Sequence, residues 1–77
     1  MINNNSFPSI TDVEAQKKRY EPGCRVELIQ MEDTHTTLIP GDQGTVRYVD
    51  DIGTVFVKWD SGSRLGVAYG IDRIRKI

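Results

Sequence analysis

Apolar and polar positions alternate most regularly over residues 54–59, where Val55, Val57 and Trp59 share one side and Thr54, Phe56 and Lys58 the other. A period of two marks a strand with one face buried. A second strand, residues 45–49, precedes it across Asp50-Asp51-Ile52-Gly53, a four-residue reversal in which Gly53 can take positive φ. Pro40-Gly41 on one side and Asp60-Ser61-Gly62 on the other are turn signals that bound the pair. Residues 40–62 therefore predict a hairpin, and the remaining pattern adds strands to it.

Upstream, residues 1–8 are polar, with three successive Asn, and nothing in them requires order. Thr11 and Glu14 stand at capping-box spacing. Acidic Asp12 and Glu14 come first and basic Lys17, Lys18 and Arg19 last, the order a helix dipole favours. The spacing predicts a helix over residues 12–19, with Ile10, Val13 and Tyr20 as its docking groups. So short a helix is marginal alone, so it is either a frayed lead-in or a helix laid across one end of the domain. Glu21-Pro22-Gly23 breaks it, dividing a polar tail with a helix (residues 1–19) from the folded domain (residues 20–77).

A strand over residues 25–30 places Val26 and Leu28 on one face, and Ile29 and Met31 break the alternation, which predicts a bulge. The loop over residues 32–39 is longer than a hairpin turn needs, and Leu38 or Ile39 should pin it to the core. A fourth strand is expected over residues 63–68 with Leu65 and Val67 together. A tight turn of 3₁₀-like geometry follows at Tyr69-Gly70-Ile71-Asp72. The last strand, residues 73–77, turns Ile74 inward. The expected architecture is mainly β: a small five-stranded SH3-like barrel with a short N-terminal helix. A bent sheet closing on itself is the economical way for so short a chain to bury one face and leave few edges.

Composition narrows the function classes. The chain has 77 residues, with 10 Lys and Arg against 11 Asp and Glu. A core this small supplies only about 3–5 kcal/mol, which leaves little to offset buried catalytic charges. The near-neutral balance disfavours a protein that lives on non-specific phosphate contacts. A single cysteine, Cys24, and a single histidine, His35, provide neither a disulfide nor a Cys/His metal site. No apolar run is long enough to span a membrane and no signal peptide is evident, so a cytoplasmic, soluble protein without a cofactor is expected.

The run PGDQGTV-RYVDD-IGTVFVKWDSGSRLG, with the closing GIDRIRKI, resembles the small bacterial family known as domain of unknown function 4314. The resemblance begins near Tyr20-Glu21-Pro22-Gly23 and covers nearly all that follows, including Met31-Glu32-Asp33. Gly44, Val49-Asp50-Asp51, Trp59-Asp60-Ser61-Gly62 and Ile71-Asp72 together are far more specific than any one of them. It implies an SH3-like fold and a distribution that includes phage and other mobile elements, and it implies no established activity. The loop EDTHTTLIPG departs from the shorter, more Pro-rich loop of the family, so its tip is the least transferable part.

Candidate functional residues fall into two sets. Phe56 lies opposite Val55 and Val57 in phase, and Tyr48 on the adjacent strand is placed to form a cross-strand pair with it. With Tyr69 and the acidic loop residues Glu32 and Asp33, these rings make a surface suited to a Pro-rich or basic peptide. The same rings would equally serve to pack on Ile10 and Val13 of the helix. The second set, Arg47, Arg64, Arg73, Arg75 and Lys76, offers a basic edge on the last two strands for nucleic acid, or charges that blunt an edge strand. The carboxylates Asp50, Asp51 and Asp60 suit a metal ion in principle, but Asp at a reversal is ordinarily turn chemistry, and Asp72 reads as a turn cap. His35 has no oriented partner in sequence. Trp59 is expected in the core or closing one end of it. The reading is a non-enzymatic interaction module with a protein partner, as a monomer or weak homodimer, with nucleic-acid binding as the alternative.

Overall fold

A capping box at Ser9 begins the first element of the computed structural model, which describes residues 8–33 and 35–77. The Asp12 backbone N–H donates to Ser9 Oγ at 3.1 Å, and the Ser9 N–H donates to Asp12 Oδ2 at 3.1 Å. The helix, α1, runs Ile10–Arg19. It includes the expected residues 12–19 but starts earlier, and the box belongs to Ser9 and Asp12 rather than Thr11 and Glu14. Both pairs have the same spacing. The earlier one lets Thr11 join the helix and gives the Ser9 carbonyl the Val13 N–H at 3.0 Å as the first helical hydrogen bond. The expectation for residues 1–8 falls outside the described residues except at Pro8.

The helix docks. Val13 is buried, Gln16 Nε2 donates to the Gly53 carbonyl at 3.4 Å, and Lys17 pairs with Asp51 at 3.2 Å. Tyr20, whose N–H closes the helix on the Gln16 carbonyl, sends its ring into the core.

Five strands follow: β1 Arg25–Gln30, β2 Gln43–Val49, β3 Val55–Trp59, β4 Gly66–Val67 and β5 Arg73–Lys76. They form one antiparallel sheet in the order β4-β3-β2-β1-β5. The mainly β architecture with five strands and a short helix is as expected. Closure is not: β4 and β5 are opposite edges of the order and exchange no strand pairing, so the sheet stays open between them. β4 is also shorter than residues 63–68. Its neighbours spend their backbone groups elsewhere: the Leu65 carbonyl accepts from Trp59 Nε1 at 2.9 Å and the Ala68 N–H donates to Asp72 Oδ2 at 3.0 Å.

Val26, Leu28, Val55, Val57 and Trp59 are buried in the phase the alternation predicts. Leu38, not Ile39, pins the long loop, since Ile39 is 62% exposed. The register of β1 on β5 shifts between Leu28 and Gln30, so the bulge sits at Ile29 as the broken alternation indicates. A second shift, between Val46 and Tyr48 of β2 against β3, was not anticipated. Its signal was present: Val46 and Val49 are both buried yet three residues apart, which a regular strand cannot achieve. Among the described residues no helix is long and apolar enough to cross a membrane.

Candidate functional site

The bulge in β2 builds the most distinctive surface of the molecule. One extra residue there leaves Arg47 and Tyr48 together opposite Phe56 of β3. The two rings stack, with centroids 4.8 Å apart and planes 19° from parallel. Offset aromatic pairs of this kind contribute about 0.5–1.5 kcal/mol beyond the area they bury. Phe56 is half-buried because its other neighbour, on β4, is Gly66. A Cβ at Gly66 would lie 3.2 Å from Phe56 Cε1, so the missing side chain is what lets the ring lie over the edge strand. Tyr48 remains 46% exposed.

Charge around the pair is basic. The Arg47 guanidinium lies 6.0 Å from the Tyr48 ring centroid, within cation–π range. Lys58 is exposed two residues beyond Phe56 and shares its face by alternation. Lys17 lines, with Tyr20, Pro22, Tyr48 and Val49, a small cleft of about 230 Å³ beside the rings.

The other members of the expected protein-binding set lie elsewhere. Tyr69 packs beside Gly53, and it lines a cavity with Gln16, Tyr20, Val55 and Val67 rather than the outer face. The Glu32 N–H donates to Asp72 Oδ1 at 2.9 Å, which ties the start of the long loop to the turn after β4. Asp33 accepts the His35 N–H at 2.8 Å and lines an open cleft with Arg64 and Leu65. The structure thus brings Tyr48 and Phe56 together, as expected, and assigns Tyr69, Glu32 and Asp33 to different neighbourhoods.

The basic residues of the alternative set are spread over three parts of the fold, with Arg73, Arg75 and Lys76 sharing β5. Arg64 precedes β4 whereas Arg73, Arg75 and Lys76 lie on β5, the opposite edge in strand order. Arg75 is committed to Glu27 at 3.0 Å and Arg47 belongs to the central strand β2.

The carboxylates explain themselves as structure, with one surprise. Asp50 Oδ1 accepts the Ile52 and Thr54 N–H groups at 3.0 and 2.9 Å, the turn chemistry expected of it. Asp72 caps the 68–72 turn. Asp60 does more than shape a reversal: it accepts two hydrogen bonds from Arg25, at 2.8 and 2.6 Å, and Arg25 also reaches Thr45 Oγ1. This fork joins β1, β2 and the turn after β3 on the outer face. Among the described residues no three His, Cys, Asp or Glu side chains gather as a metal site.

The hydrogen bond from Arg25 holds the Asp60 carboxyl below its ordinary value; partial desolvation opposes this and the nearby positive charge reinforces it. A depressed folded-state value contributes stability above the unfolded pKa, about 3.9 for Asp. That contribution is lost as pH falls through the lower, folded value. Asp60→Asn should therefore have a lower urea midpoint than the parent at pH 7, and the gap should narrow as pH falls below the unfolded value of about 3.9. Midpoints measured across that range check it; a gap that persists undiminished in acid would show that the pair does not act through ionisation.

The family described as Domain of unknown function (DUF4314) matches residues 9–77. No curated protein and no solved structure matches the chain.

Proposed function

The chain belongs to the family of unknown function DUF4314, and from that premise we propose that it is a non-enzymatic protein-interaction module of SH3-like build. The strand order β4-β3-β2-β1-β5 supports the SH3-like reading. So do the single long connection, residues 31–42, and the short turn between β4 and β5. The observation that carries the function is the stacked Tyr48–Phe56 pair on the outer face, with Tyr48 nearly half exposed. Such rings offer large, rigid contact area at little conformational cost, and few residues of this kind dominate the energetics of most interfaces.

The surroundings set the partner's chemistry. With Arg47 and Lys58 about the rings, Lys17 already paired with Asp51, and Glu32 and Asp33 elsewhere, the face suits a segment bearing carboxylates beside an apolar or proline residue. Of the Pro-rich or basic peptides that the sequence suggests, a basic one would meet like charge here.

The test begins with capture by the immobilised chain, with and without nuclease, followed by direct titration of the recovered protein. Truncating both rings to Ala is expected to weaken that binding about thirtyfold or more, the equivalent of about 2 kcal/mol. Circular dichroism should remain unchanged. Equal binding by the folded double variant would remove this face from consideration. Recovery that collapses on nuclease treatment would instead assign the rings to base stacking.

A further inference from the structure

The gap between β4 and β5 is not filled. A cavity of about 360 Å³ opens there, under one side of α1. Behind it lie Val55 and Val67, core residues 1% and 3% exposed, so its base is fixed by the sheet itself. Tyr20, Tyr69 and Ile74 form the walls, and Gln16, Asp72 and Arg73 supply the polar part of the lining. The volume lies within the range of small-ligand sites, about 300–1,000 Å³.

Two charged groups line this cavity, and they are not equally available. Both oxygens of Asp72 already accept backbone N–H groups, from Glu32 and Ala68, which offsets part of its charge and fixes its position. Arg73 is exposed and makes no ion pair among the described residues, whereas Arg25 and Arg75 each hold a carboxylate. Arg73 belongs to the lining, and its planar guanidinium fork is the group that matches a carboxylate attached to an apolar body.

We propose that this cavity binds a small organic acid, its ring or chain seated against Tyr69 and Ile74 and its carboxylate at Arg73. The site gathers Tyr69 and Arg73, which sequence reasoning assigned to two unrelated surfaces. It is separate from the Tyr48–Phe56 face and stands whether or not that face binds a protein.

The test is a titration of the ¹⁵N-labelled full chain with phenylacetate and indole-3-acetate, each compared with its neutral amide. Saturable shifts are expected for the backbone amides of Val67, Tyr69, Gly70, Arg73 and Ile74, with the acids binding at least tenfold tighter than the amides. Arg73→Gln should lose that tenfold preference while its other resonances stay in place. Arg75→Gln removes the same charge from the same strand, away from the cavity, and should bind as the parent does. The proposal is overturned if acid and amide bind alike, if the two variants behave alike, or if shifts scatter over the surface or fail to saturate at millimolar ligand.

Discussion

Trp59→Ala is expected to leave most of the chain unfolded at 25 °C. Trp59 is the largest of the fully buried side chains, 1% exposed, and its indole N–H donates to the Leu65 carbonyl at 2.9 Å. Truncating a buried Trp costs about 3–5 kcal/mol, because the cavity left behind collapses only in part. A core in a chain of this size supplies about the same amount in total. Far-ultraviolet circular dichroism at 25 °C reads the outcome directly. Trp59→Phe separates the two contributions: it keeps a ring in the core but orphans the Leu65 carbonyl, at about 1–3 kcal/mol. That variant should fold, with a lower urea midpoint and an unchanged slope. A folded Ala variant with a near-parental midpoint would show that the core does not depend on Trp59.

Gly44→Ala should be nearly as damaging, although it adds a single methyl group. Gly44 is buried in the central strand, facing Trp59 of β3 on one side and Val26 of β1 on the other. A Cβ there would lie 2.5 Å from Val57 Cγ1, 2.9 Å from the Lys58 carbonyl oxygen and 3.0 Å from Trp59 Cα. Two of those three are main-chain atoms of a paired strand, so no rotamer change relieves the contact and β2 must move off β3. Overpacking of this kind costs about 1–3 kcal/mol, and the backbone contacts place this case at the upper end. Urea unfolding of the purified variant measures it. A loss below about 0.5 kcal/mol, the range of ordinary surface substitutions, would mean that the two strands separate more easily than their pairing suggests.

These two positions differ in how legible they are. The alternation through Val55, Val57 and Trp59 states which side of β3 is buried, so the importance of Trp59 can be read from its neighbours in the chain. Gly44 reads as part of a turn signal. Its role in letting β2 approach β3 exists only because residues 44 and 59 are cross-strand partners.

The same division runs through the candidate sites. The Tyr48–Phe56 pair was legible from strand phase and a short reversal, since both are local properties of the hairpin. Its basic surroundings were not: the bulge that turns Arg47 outward beside Tyr48 answers to the burial of Val46 and Val49 against β3. Tyr69 was assigned to the wrong neighbourhood because the turn after β4, held by Asp72, decides where its ring goes. The Arg25–Asp60 fork joins residues 35 apart in the chain and leaves no mark in either local pattern.

What the sequence determined by itself, then, was the set of elements and their buried faces: period-two alternation, breakers at Pro and Gly, and Asp-rich reversals act over a few residues and report directly on φ, ψ and phase. The tertiary structure alone decided which side chains from distant stretches of the chain meet. Register between distant strands and the failure of β4 and β5 to pair depend on burying the most apolar area at once, a condition on the whole chain that no short stretch of it records.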